Sequence, residues 1–393
     1  MNDTLYIGTR KGTFIAERGP NGYQLRLAGH AGTSVNYVAR DPHTGHVWAA
    51  LGFGHWGAKL SRSEDGGATW ADASQIKYPQ DARYLAPPDP GTEDDAEPSR
   101  FTVRPATLLK LWVLGFGPGG RVYVGTIPGG LFVSENGGES FELNRPLWDH
   151  ESRGGDLTDV RRNEDIGDRK THWFGTPASE GGEFAAGIHS IDVDAKDPNR
   201  LRVAISTAGV LESRDGGKTW AGRNQGMTND YLPDPHTEWG HDAHFVQSCP
   251  GQPQHVWQQN HCGVFYSADG SASWTKVSAP EQGVHFGFPI AVDDEDGRTA
   301  WVVPGISDQQ RMAIGGGLFV ARTEDGGQSW QQLRAGLPQD SAYDVIYRHA
   351  LAVRGRRVAF GSTTGNLFVS EDRGDSFVAV AHHLPPIYSV RFG

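Results

Sequence analysis

Short runs of β-branched and aromatic residues alternate along this chain with turns containing glycine. They group into a recurring phrase of strand, short turn and strand. Val122-Tyr-Val-Gly-Thr…Gly-Leu-Phe-Val133 and Val358-Ala-Phe-Gly-Ser…Asn-Leu-Phe-Val369 are the clearest copies. His255 to Tyr266 and Leu201 to Leu211 are variants, and the chain opens on a further copy, Leu5 to Ile15. Ahead of the later copies lies another apolar run: Val35–Val38, Leu111–Leu114, Ile188–Ile191, Ala243–Val246, Gly287–Ile290 and His349–Ala352. Runs this short, bounded by Gly, Asp and Asn, predict strands joined by tight turns.

Six copies of one polar sentence close these units. They run Ser63-Glu-Asp65-Gly66-Gly67-Ala-Thr69-Trp70, Ser134 to Phe141, Ser213 to Trp220, Ser267 to Trp274, Thr323 to Trp330 and Ser370 to Phe377. The Gly pair supplies positive φ, and the Asp and Ser or Thr side chains bond the turn backbone. The terminal aromatic has a large apolar face to bury against a neighbouring sheet. A motif repeated in nearly every unit suits a structural fastener better than a catalytic group. Its return after roughly fifty to eighty residues, with four strands per unit, predicts an all-β, seven-bladed β-propeller as a single domain over residues 1–393. The first unit lacks both the sentence and an innermost strand. Ile387-Tyr-Ser-Val-Arg-Phe392 fits that empty slot, so the last strand is expected to join the first blade and close the ring.

Composition narrows the function classes. A chain of 393 residues with 53 Gly, 12 Trp and a net charge of −11 can bury a large β core, and its charge disfavours a nucleic-acid partner. No apolar stretch is long enough to span a bilayer, and no cationic-then-apolar leader precedes the first strand, which predicts a cytoplasmic protein without membrane contact. Cys249 and Cys262 fall at opposite ends of paired strands, which argues against a disulfide.

Strand alternation gives the ring two unlike faces. If the polar sentences lie on one, the other receives the loops entering each innermost strand and those joining the second and third strands. Two entering loops are long, at about 71–109 and 142–187, and the aromatics of the second favour an ordered cover. Aligning the innermost strands places Asn36, Trp112, His189, His244, Phe288, His349 and Tyr388 at equivalent entry positions. His261, His55 and Lys11 occupy the second-to-third-strand loops of their blades. Imidazoles converging on an axis can bind a divalent metal, here His189, His244 and His349, or relay protons. They can also simply line a wet channel mouth. Residues three apart on a strand face opposite sides, so of His241 and His244 only the latter is expected to point inward. Glu183, Glu238 and Asp242 offer a competing carboxylate chemistry of the kind that cleaves glycosidic bonds, with Trp56, Trp148, Trp173 and Trp239 as sugar-stacking candidates.

The polar sentences resemble the Asp-box, or BNR, repeats of sialidases, xyloglucan-cleaving glycosidases, sortilin-type receptors and photosystem assembly factors. The resemblance covers Ser63 to Phe377 and departs at Asn136, Ser271 and Arg373. With Gln258-Gln-Asn-His-Cys-Gly-Val-Phe-Tyr266, the pattern is most similar to bacterial single-propeller proteins labelled sialidase-like glycosyl hydrolases. The Arg-Ile-Pro motif of true sialidases is missing after Arg10, so sialic acid cleavage is not expected. The resulting expectation is a propeller that binds, or hydrolyses, a small polar or sugar-like ligand at a His-rich axial pocket. His189, His244, His349 and Glu183 would be its catalytic candidates. Asn36, His55, Trp148, His172, His261 and Tyr388 would contact the ligand. The alternative is a non-catalytic scaffold whose broad face grips another protein.

Overall fold

In the computed structural model, which describes residues 4–54, 57–86, 101–174 and 185–393, seven four-stranded antiparallel sheets follow one another around an axis. Each later blade is laid down from the axis outward. Blade 2, for example, comprises Ser34–Arg40, Val47–Gly52, Ala58–Ser63 and Ala71–Asp72. Blade 1 is composite. Thr4–Thr9, Gly12–Gly19 and Gly22–Gly29 supply its outer three strands, and Ile387–Phe392 supplies the innermost, antiparallel to Thr4–Thr9. The expected closure is therefore present, and it removes the free sheet edges that an open ring would expose. No helix among the described residues is long and apolar enough to cross a membrane, and both cysteines are free and buried.

The polar sentence is a hydrogen-bonded turn between the third and fourth strands. In blade 4, Ser213 Oγ accepts from the Gly217 N–H at 2.7 Å and donates to Asp215 Oδ1, while Asp215 Oδ2 accepts from the Thr219 hydroxyl at 2.6 Å. Asn136 reproduces the pattern in blade 3 by donating to Ser140 Oγ where the carboxylates accept. The closing tryptophans clasp the preceding blade: Trp70, Trp274 and Trp330 indole N–H groups donate to the carbonyls of Ala28, Arg223 and Val277.

Beneath three of the turns lies a residue from the second strand of the blade before it. Trp48 fits against Gly138, where an added Cβ would stand 2.2 Å from the indole. Trp301 donates to the Arg373 carbonyl. In blade 4 that position is Arg202, fully buried, and the facing turn carries Ser271 in place of glycine. Ser271 holds φ 69° and its hydroxyl accepts from Arg202 Nε at 3.1 Å. The polar replacement in one blade is thus matched by the polar replacement in the next.

The described parts of the two long insertions pack on each other. The first contains a hairpin of Arg83–Ala86 and Thr102–Pro105. The second contains a helical turn, Arg145–Trp148, capped by Asn144. Leu85 of the first shares a small core with Leu157, Val160 and Ile166 of the second.

Candidate functional site at the axial mouth

Inner strands run from the face opposite the polar turns, and they bulge where they enter. The ladder slips between Val35 and Tyr37, Leu111 and Val113, Ile188 and Ser190, and Ala243 and Phe245. In blade 6 it slips after Gly287, and in blade 1 it omits Tyr388. The skipped residues include Asn36, Trp112, His189, His244, Phe288 (with Pro289) and Tyr388, the equivalent positions of the sequence alignment. A bulged residue leaves the pleat, so its side chain can be aimed away from the sheet. Ring contacts then run round the axis: Trp112 to His189 at 4.7 Å, His189 to His244 at 6.2 Å, His244 to Phe288 at 4.8 Å, Phe288 to Tyr347 at 6.2 Å and Tyr347 to Tyr388 at 5.9 Å. Asn36 donates to the Leu111 carbonyl, next to Trp112.

Blade 7 breaks the pattern. Its inner strand begins only at Leu351, after a turn in which the Ala350 N–H donates to Tyr347 O. His349 consequently does not join the other imidazoles. It lies among Tyr37 and Phe245, each one residue past its blade's bulge, and its Nε2–H donates to the His189 carbonyl at 2.6 Å. Burial and the nearby Arg391 hold its pKa well below the ordinary histidine value. The channel is thereby filled below the mouth.

Arg348 takes the mouth position instead. Its guanidinium lies 5.0 Å from the Trp112 ring of blade 3 and 5.2 Å from the Phe288 ring of blade 6. Its Nε is buried without a hydrogen-bond partner among the described residues. Burial pushes its pKa down to about 10, against the pull of Asp242. A cation between two ring faces is favourably placed, yet its Nε–H donor remains unspent.

On the blade 5 side, Asp242 is the hub. His244 Nε2 lies 3.2 Å and His261 Nδ1 3.7 Å from Asp242 Oδ2, and His189 Nδ1 lies 3.8 Å from Oδ1. Oδ1 itself is buried and lacks a hydrogen bond among the described residues. The loop is held by Tyr231, whose hydroxyl donates to Gly240 O and accepts from the Asp242 N–H, and by the His261 N–H on Asp242 O. Burial opposes the charge of Asp242, but His244, His189 and Arg348 together hold its carboxyl well below the usual range. Burial lowers the pKa of His244, with Asp242 opposing that shift.

The His189, His244 and His349 metal set does not assemble. His189 has both ring nitrogens engaged, with the Ala243 carbonyl and with Ser206 Oγ, and His349 faces a carbonyl. Only His244 converges with other ligand atoms, and its companions are Asp242 and His261. His241 turns into its own loop toward Thr237 O, as the strand alternation implied.

Trp148 is buried, with the Arg153 guanidinium 3.5 Å from its ring and Tyr78 alongside, so it packs the insertion and presents no open face. His172 stacks on half-buried Trp239 at 6.2 Å, with His150 on the same indole at 5.9 Å. Glu183, His55 and Trp56 lie outside the described residues. Cys262, next to His261, donates its thiol to Asp230, and burial with that carboxylate pushes its pKa up to about 12. Arg348 is obscured in the sequence by the imidazole beside it, which holds the aligned entry position. A cation inside an apolar entry run was the available signal.

No protein-family model matches the chain, and no curated protein matches it. Among solved structures it is similar to an ancestral GH74 enzyme, with 17% identity and a TM-score of 0.53 over 88% of this chain and 38% of that one. It thus spans well under half of that enzyme. It is also similar to YCF48 bound to D1 peptide, at 13% identity and TM-score 0.52 over 94% and 89% of the two chains. A third is a putative 6-phosphogluconolactonase from Bacteroides fragilis NCTC 9343, at 10% identity and TM-score 0.54 over 99% and 97%. Likenesses this remote speak for the propeller fold and not for a particular activity.

Proposed function

We propose that this propeller binds a small polar ligand carrying an anionic group, such as a sugar acid or sugar phosphate, at the axial mouth. Arg348 carries the reading. It is a guanidinium held between two aromatic rings, with an unpartnered Nε, at the point where bulged residues from the other six blades converge. Trp112, Tyr347 and Tyr388 offer rings for the apolar side of such a ligand. Hydrogen bonds to a charged partner contribute about 1.5–3 kcal/mol each, so Arg348→Met should weaken binding by about 10- to 100-fold.

Calorimetry with glucuronate, 6-phosphogluconate and glucose tests this. The two anions should bind the native chain and lose affinity in the variant, while glucose binds neither. Equal binding by both proteins, or no binding of either anion, overturns the reading.

A second reading, a protein-interaction face, rests on the exposed Leu109, Tyr231, Leu232 and Tyr343 in the entering loops of blades 3, 5 and 7. YCF48, a neighbour of similar size, is described with a peptide bound. Under that reading, replacing Tyr231 and Tyr343 by Ser abolishes partner capture while Arg348→Met leaves it intact.

A further inference from the structure

We infer that Asp242, His244 and His261 form a binding site for a divalent cation of the zinc class. Their ligand atoms, Oδ2, Nε2 and Nδ1, all lie within 4.8 Å of one another. Two ligands each about 2.1 Å from a tetrahedral centre sit about 3.4 Å apart. The observed 3.2 Å and 3.7 Å separations from Oδ2 bracket that value, and the two imidazoles lie within 4.8 Å of each other.

The tautomer of His244 provides a second, independent observation. Its Nδ1 lies 2.7 Å from the Gly287 carbonyl, an acceptor only, so Nδ1 must carry the proton. The neutral ring then directs the Nε2 lone pair at a carboxylate oxygen, and His261 Nδ1 approaches the same oxygen. With His244 neutral and His261 protonated on Nε2, three acceptors face one point and need a positive centre. A single proton can bridge one pair of them, whereas a metal ion satisfies all three. An Nδ1–H held by a backbone carbonyl is also the outer support that orients metal-binding histidines.

The donor set defines the ion. Two imidazoles and one carboxylate suit zinc and its late divalent neighbours better than calcium or magnesium, which favour all-oxygen sites. The adjacent thiol of Cys262 is turned away to Asp230 and does not enter the set. Three protein ligands leave a position open, as in catalytic rather than structural zinc sites. One carboxylate against a doubly charged ion leaves net positive charge there, so the open position favours an anion. This site does not depend on the Arg348 reading, and it is tested with ions alone.

The full-length protein, stripped with chelator and dialysed, should take up close to one equivalent of zinc by elemental analysis and titration calorimetry. Cobalt(II) should give the visible absorption of a four- or five-coordinate nitrogen and oxygen site. His261→Gln alters a half-exposed side chain and should weaken zinc binding by about 100-fold. Asp242→Asn should do the same, and His172→Gln, away from the cluster, should not. Circular dichroism confirms the fold of each variant, and His261→Gln decides if Asp242→Asn fails to fold. Absence of zinc uptake by the native chain, or native affinity in folded His261→Gln, overturns the site.

Discussion

Removing residues 387–393 should abolish the native ring. Five residues of this strand pair with Leu5 through Thr9, and Ile387, Ser389 and Val390 are completely buried. The segment also ties three blades together. Ser389 Oγ accepts from the Val38 N–H of blade 2, the Val390 N–H donates to the His349 carbonyl of blade 7, and Arg391 donates to His349 O and Leu351 O. Burying Ile387 and Val390 stabilises by about 2–3 kcal/mol each. Each ladder or side-chain bond adds about 1 kcal/mol. The loss is therefore of order 10 kcal/mol, comparable with the whole stability of an ordinary domain at about 5–15 kcal/mol. In a fluorescence-monitored thermal melt, residues 1–386 should lack the cooperative transition of the full chain. Adding the peptide 387–393 in excess should restore it. A cooperative melt of residues 1–386 within a few degrees of the full chain, without peptide, would refute this account of closure.

Two further outcomes follow from the turn chemistry. Ser213→Ala leaves the Gly217 N–H without its acceptor and should lower stability by about 1–3 kcal/mol, read as a reduced urea midpoint. Gly138→Ala should lower it by more than Gly137→Ala, because both glycines hold positive φ but only the first would drive a Cβ into Trp48. The turns should also set the acid limit of the fold. Thr219 hydroxyl and amide donors hold the Asp215 carboxyl at about 2, and the equivalent bonds lower Asp65 further. Their folded pKa values lie below those of the unfolded chain, so this contribution is complete above about pH 4 and is lost as pH falls toward 2. Melting temperatures measured down that range should drop, and a flat profile would contradict the assignment.

Much of the architecture was legible because it rests on local chemistry that repeats. A Ser-x-Asp-x-Gly turn needs only its own side chains and two positive φ angles, so six copies announced six blades. Six innermost strands shared an entry residue because their ladders slip at the same step, which made Asn36, Trp112, His189, His244 and Tyr388 recognisable as a set. The missing inner strand of blade 1 and the spare run at Ile387 could be matched by counting.

Which of those side chains meet was not decided by spacing. His349 holds the equivalent alignment position, yet a turn at Tyr347–Ala350 delays its strand and hands the mouth to Arg348. His189 is spent on a hydroxyl of its own blade and on a carbonyl that reaches it only when blades 4 and 5 pack. Asp242 gains its importance from His261, nineteen positions away, through a backbone bond between two loops. Side-chain hydrogen bonds across the axis depend on ångström-scale offsets between blades, and a linear pattern carries no record of them. The chain alone therefore determined the ring and the inward-facing positions, while tertiary packing chose which inward-facing groups share a point.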